Sequence, residues 1–272
     1  MITEKKKLKS FSPVTADELD GEFNSATIQE IAEAAQQAAR AFTIYARTSP
    51  VQRAAFLEAI GQEILSLGDV LISRAMLETG LPEARLIGER GRTITQLQLF
   101  ADILREGSWV EAVIDPALPE RKPLPRADIR KMLVPIGPVL IFGASNFPFA
   151  FSTAGGDTAS ALAAGNPVIV KAHEGHLGTN QLVGNAILTA AQKTGMPSAV
   201  FSYLVIGRLE EVQGLIRNEA IKAIGFTGSY KAGMSIFHTA TTARRTPIPV
   251  YAEMSSVNPV LILPEVLNEK AE

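Results

Sequence analysis

The stretch "AAGNPVIVKAHEGH", residues 163–176, carries a helix ending, a buried strand and a loop in one line. Gly165 is the residue type that closes a helix in the left-handed conformation, and Pro167 cannot continue that helix but can open an extended run. The run that follows, "VIVK", is apolar without the polar alternation of a half-exposed strand. A strand that is apolar on both sides needs cover on both faces, which is the situation of a parallel sheet between helical layers.

The pattern recurs outward from this point. "PVLIFG" precedes it, and "VFSYLV", "IKAIGFTG", "IPVYAEM" and "PVLILP" follow, each short, apolar and bounded by Gly, Pro or Asn, with helical segments between most of them. The expected fold is therefore α/β, with a doubly wound, Rossmann-like parallel sheet over residues 136–272. Before residue 120 the periodicity is helical. Thr27 and Glu30 form a capping box ahead of an apolar stripe at Ile28, Ile31, Ala35, Ala38 and Phe42. Ser49, Pro50 and Gln52 open a further helix, and Gly80 and Pro82 punctuate before one that runs to about Leu104. Residues 1–119 are expected to form an N-terminal helical layer. Residues 120–135, "ERKPLPRADIRKMLVP", contain three prolines and read as an extended arm with an edge strand that can pair with another subunit; a solvated connector explains the same residues.

Composition narrows the function classes. The 272 residues are 46% hydrophobic and 20% charged with a net charge of -2, which favours a small-molecule site over nucleic acid as partner. No run reaches the roughly 18 apolar residues of a membrane span, and the basic start "MITEKKKLKSFSP" has no apolar segment behind it, so no membrane partner and a cytoplasmic location are expected. With no cysteine, these residues contain neither a disulfide nor a thiol nucleophile.

In a doubly wound sheet, ligands sit at the carboxyl ends of the strands. After "VLIFGA" comes Ser145-Asn146-Phe147-Pro148. The Asn146 amide can donate a hydrogen bond to a developing oxyanion without bringing charge, or form an Asx turn before the proline. After "VIVK", Lys171 can donate to ribose hydroxyls, and Glu174 can accept from both hydroxyls of an adenosine ribose while repelling a 2'-phosphate; solvated side chains are the plainer reading. His173 and His176 share that loop without a third ligand, so no metal is expected. In "TGSYKAG", Gly228 and Gly233 bracket a strand-to-helix turn whose N–H groups and Ser229 hydroxyl suit a pyrophosphate, although a tight packing turn accounts for the glycines equally well.

The motifs "SNFP", "VIVKAHE", "GFTGSYKAG" and "AEMSSVNP" occur in the order, spacing and strand context of the aldehyde dehydrogenase superfamily, and the chain resembles that superfamily along essentially its whole length. Ser145 stands where the common pattern has tryptophan, and Met254-Ser255-Ser256 where it has a Gly-Gly pair. These departures, with "GRTITQLQLFADILREGSW" at residues 91–109, resemble the α-ketoglutarate semialdehyde (2,5-dioxovalerate) dehydrogenases, a branch related to NADP-dependent fatty aldehyde dehydrogenases.

The resemblance implies oxidation of an aldehyde to a carboxylate through a cysteine thiolate, with NAD as cofactor and NADP as the alternative. It also implies roles for Asn146 as oxyanion donor, Glu253 as the base that activates water, Lys171 and Glu174 at the adenosine ribose, and Ser229, between Gly228 and Gly233, at the pyrophosphate. The family's nucleophile would fall beyond Glu272, so the chain is expected to be an N-terminal part whose C-terminal catalytic domain is absent. A cofactor-binding module without catalysis, a split enzyme completed by a cysteine-bearing partner, and a thiol-free nicotinamide reductase are the other readings. Arg92 is a candidate for holding a substrate carboxylate, or else makes an ordinary surface ion pair. A homo-oligomer is expected of the full-length form.

Overall fold

The computed structural model describes residues 5–256 and 258–264. Residues 1–4 and 265–272, at the ends of the expected segments, and Val257 of the last motif lie outside them. Two short strands, β1 (Lys7–Leu8) and β2 (Phe23–Asn24), pair antiparallel and lead into α1 (Ile28–Tyr45). Both expected capping boxes are formed: Thr27 caps α1 with Glu30, and Ser49 caps α2 (Pro50–Ser66) with Gln52. Each N-cap hydroxyl accepts a bond from an otherwise unpaired N–H, a contact that contributes about 1 kcal/mol to a helix. A break at Leu67 separates α2 from α3 (Gly68–Thr79), and Gly80, at φ 68°, closes α3 in the left-handed conformation. Pro82 then precedes α4 (Glu83–Glu106), which ends at Gly107, again left-handed.

The arm carries β3 (Val113–Asp115), paired antiparallel with β4 (Ile129–Lys131), so the exposed ribbon begins at Val113 rather than at residue 120. The strand expected in "IRKMLV" is shorter than its apolar run, and the strand opposite it was not legible because "VID" is too short to show a period. The main sheet follows: β5 (Val139–Phe142), α5 (Gly156–Ala163), β6 (Val168–Lys171), α6 (Leu177–Lys193), β7 (Phe201–Leu204), α7 (Leu209–Arg217), β8 (Ala223–Gly228), α8 (Tyr230–Thr242) and β9 (Val250–Met254). The strand order is β7-β6-β5-β8-β9, and every pair is parallel. The chain builds β6 and β7 on one side of β5, then returns to place β8 on the other. That reversal opens a crevice at the carboxyl ends of the central strands, where open α/β sheets hold their ligands.

Helices cover both faces. Val139, Ile141, Val168, Val170 and Ala223 face one core with α2–α6, whereas Leu140, Phe142, Ile169, Ile224 and Phe226 face a second with α1, α7 and α8. The helices of the expected N-terminal layer are therefore divided between the two faces of the sheet. Ile31, Ala35 and Ala38 of α1 join the core on one face, and Phe56, Leu57, Leu86 and Leu97 of α2 and α4 join that on the other. The apolar stripes were read correctly, but a stripe does not say which side of the sheet it seeks. Tyr45, at the end of α1, fixes the crossing by donating its hydroxyl to the Leu162 carbonyl at 2.9 Å.

The sixth expected strand is missing: residues 259–263 of "PVLILP" are not in strand, and Val260, Leu261, Ile262 and Leu263 are exposed. A strand needs a neighbour to complete its hydrogen bonds, and among the described residues this run has none. Among the described residues no helix is long and apolar enough to cross a membrane.

Candidate functional site

The crevice holds two adjoining cavities. The first, of about 480 Å³, runs from the end of β6 to the start of α8, with Lys171, Glu174, Arg208, Gly228 and Ser229 in its wall. Ser229 is the N-cap of α8, its hydroxyl accepting from the Ala232 N–H at 3.4 Å. The free N–H groups of this 13-residue helix thus begin at the cavity, an arrangement that attracts a phosphate. Lys171 Nζ lies 3.4 Å from Glu174 Oε1, so a cation and a carboxylate stand side by side, able to donate to and accept from sugar hydroxyls. This donor set and the helix N-terminus fit a nicotinamide dinucleotide.

The second cavity, of about 460 Å³, contains Asn146, Phe147, Phe151, Glu253, Ser255 and Ser256, and shares Ser145, Thr227, Gly228 and Ser229 with the first. Glu253 is in register with Thr227 across the β8–β9 pair, which brings the carboxylate to the strand-end level of Asn146 in the loop after β5. Both side chains are exposed to the cavity's solvent. Asn146 and Glu253 are distant in sequence, and the β5-β8-β9 adjacency brings them together. The arrangement can polarise a carbonyl with a neutral amide and take a proton from water with a carboxylate.

Sequence reasoning named Arg92 but missed several other neighbours. Asp157, in the first turn of α5, shares the sheet face of Glu253; burial and then the charge of Glu253 raise its carboxyl pKa. On α4, Arg85, Glu89 and Arg92 are spaced i, i+4, i+7 and so share one face. Arg85 Nη2 donates to the Asn146 carbonyl at 2.8 Å. The buried Glu89 accepts from the Phe149 and Ala150 N–H groups at 2.8 and 2.9 Å through one oxygen. Arg92 lies over the rings of Phe151 and Phe147, at 5.0 and 6.0 Å from their centroids. One helix face therefore holds the whole Asn146–Phe151 segment. The spacing of the three charges was the available signal, but it is also that of a solvated helix face.

Gly233 is placed apart from the other candidates. It is buried one turn into α8 and lines neither cavity; a Cβ there would sit 2.5 Å from Met254 Cγ and 3.0 Å from the Phe226 ring. Its role is to let α8 approach β8 and β9, so the packing reading of this glycine holds. The His173 and His176 rings stack at 5.2 Å. His176 is fully buried with Nε2 at 2.9 Å from the Ala144 carbonyl, which ties this loop to the one after β5, and His173 Nδ1 accepts from the Gly175 N–H of its own loop.

The model of the aldehyde dehydrogenase family matches residues 2–271. The chain belongs to the aldehyde dehydrogenase family. Within that family it is 54% identical over 267 residues to an alpha-ketoglutaric semialdehyde dehydrogenase 2 of Azospirillum brasilense, covering 97% of this chain and 50% of the relative. An alpha-ketoglutaric semialdehyde dehydrogenase of Acinetobacter baylyi is 51% identical over 250 residues, 92% of this chain and 47% of the relative. The chain thus spans about half the length of the curated relatives it matches, and that half is their N-terminal part. Among solved members of the fold, 1-pyrroline-5-carboxylate dehydrogenase from Thermus with bound NAD superposes with a TM-score of 0.80 at 21% identity, covering 93% of this chain and 47% of that one. A glyceraldehyde-3-phosphate dehydrogenase from Methanocaldococcus jannaschii complexed with NADP gives 0.75 at 21%, covering 95% and 52%. The aldehyde dehydrogenase fold of this chain is thus one seen with either nucleotide.

Proposed function

We propose that this chain is the cofactor-binding part of a cytoplasmic dehydrogenase that oxidises α-ketoglutarate semialdehyde to 2-oxoglutarate. The observation that carries the reading is the shared wall of the two cavities: Asn146 and Glu253 face one, Lys171 and Glu174 the other, and Ser145, Thr227, Gly228 and Ser229 belong to both. Bound NAD or NADP supplies the hydride acceptor. Ser229 and the α8 N-terminus hold the pyrophosphate, and Lys171 and Glu174 the adenosine ribose. Asn146 donates to the aldehyde oxygen as negative charge grows on it, and Glu253 takes the proton from the water that releases the product. The thiol comes from the part of the enzyme that this chain does not span. The exposed β3–β4 ribbon is the element through which subunits pair.

NAD is the proposed cofactor, because the Glu174 carboxylate repels a 2'-phosphate. Glu174→Gln is then expected to raise NADP affinity and leave NAD affinity nearly unchanged; tighter binding of NADP than NAD with no response to this substitution would overturn the choice. The function itself is tested by following reduced nicotinamide. The 272-residue chain alone is expected to bind NAD without turnover, and an enzyme joining it to the cysteine-bearing half is expected to oxidise the semialdehyde. Sustained turnover by the isolated chain would sink the proposal.

A further inference from the structure

The proposed chemistry leaves two cations of α4 unused. Arg85 stands 5.0 Å from the Phe147 centroid, and Arg92 lies over both Phe151 and Phe147, whose rings meet edge to face at 5.2 Å. These two rings line the cavity that contains Asn146 and Glu253. An aldehyde group between that amide and that carboxylate therefore has the aromatic pair beside its chain, with the guanidinium groups within 6.0 Å of the ring centroids at the cavity's edge. We propose that Arg85 and Arg92 form a carboxylate-reading subsite that selects aldehydes whose far end is a carboxylate. This inference rests on the dehydrogenase reading above.

Three observations support it. Both arginines are exposed, and among the described residues neither forms an ion pair. The one acid between them on the same face, Glu89, is buried and turned onto the Phe149 and Ala150 N–H groups, so it does not occupy them. A guanidinium held beside a ring by cation–π attraction keeps N–H groups with which it can bind a carboxylate, which Arg does in bidentate fashion. Arg85 commits one nitrogen to the Asn146 carbonyl and thereby ties the subsite to the oxyanion donor.

The test uses the active dehydrogenase containing this chain and two substrates: α-ketoglutarate semialdehyde, and an uncharged aliphatic aldehyde of similar length. Arg92→Ala is expected to raise KM for the acidic aldehyde by about tenfold or more, the scale of one charge-assisted hydrogen bond, and to leave KM for the neutral one within about twofold. Arg92→Lys, which keeps the charge and loses the bidentate edge, falls between. Arg85→Ala shows the same selectivity and in addition lowers kcat for both aldehydes, because it frees the Asn146 carbonyl. Equal changes in KM for the two substrates in correctly melting Arg92 variants overturn the subsite and leave the dehydrogenase standing. Failure of the unaltered enzyme to oxidise either aldehyde sinks both.

Discussion

Glu253 and His173 show how position sets the work of a titratable side chain. Glu253 is exposed on β9 and lines the same cavity as Asn146. In the complete enzyme, Glu253→Gln is expected to lower steady-state turnover by about 100-fold or more while the first hydride transfer survives; stopped-flow kinetics separate the two steps. An equal loss in the first turnover would remove Glu253 from the water step. His173 answers to its surroundings: burial, then neighbouring His176 and Lys171, push its pKa down to about 4. The unfolded chain, with an ordinary histidine, binds the proton more readily between about 6.5 and 4, so folding stability falls as pH drops through that window. Urea midpoints measured from pH 7 to pH 4 are expected to decline, and His173→Gln to flatten the decline. Part of it remains, because burial also lowers the pKa of His176.

At the scale of elements, α4 and α8 act as supports. Glu89 on α4 satisfies two N–H groups beneath Asn146, while its second oxygen has no partner among the described residues. Glu89→Ala leaves two buried donors unpaired, and such groups cost about 1–3 kcal/mol each. The variant is expected to melt earlier and to lose kcat more than KM, as Asn146, the proposed oxyanion donor, loosens. A melting point within a degree of the parent would show that the segment holds itself. Gly233 is the corresponding close approach on α8. Gly233→Val should misplace α8 against Met254 and Phe226 and thereby weaken NAD binding, although the residue touches neither cavity. Calorimetry of NAD binding decides this, and unchanged affinity would separate the helix position from the nucleotide site. The sequence carried the helix starts at Thr27 and Ser49 and the end at Gly80, because capping chemistry is local. It could not show that α1 crosses to the opposite face of the sheet from α2–α4, since an apolar stripe is satisfied by either core.

For the whole molecule, the parallel sheet was legible from the doubly apolar runs, whereas its order was not, and the site depends on the order. Asn146, Lys171 and Ser229 each follow a recognisable strand, so the loops could be named in advance. Asp157 carries no local mark, and the spacing of Arg85 with Glu89 and Arg92 is also that of a solvated helix face, so both become visible only when α4 and α5 are laid against the 146–151 segment and β8. The run "PVLILP" has the composition of a strand but lacks a neighbour to pair with among the described residues. If the cleft is a nucleotide site, NAD at a hundredfold excess over its Kd should stabilise the isolated chain by about 2.7 kcal/mol, seen as a rise of several degrees in Tm. No shift with either nucleotide would argue that the cavity needs the remainder of the enzyme to bind.

The order β7-β6-β5-β8-β9 also bears on how the molecule comes into being on the ribosome. The central strand β5 is synthesised first, and each later strand adds to an edge already available: β6 and β7 on one side, then β8 and β9 on the other. No strand has to be inserted between two that are already paired, so the sheet can grow as the chain emerges, without threading or rearrangement. The loop bearing Asn146 is in place before the segment with Glu253 has been translated, so the cavity that both residues line takes shape only once β9 docks on β8.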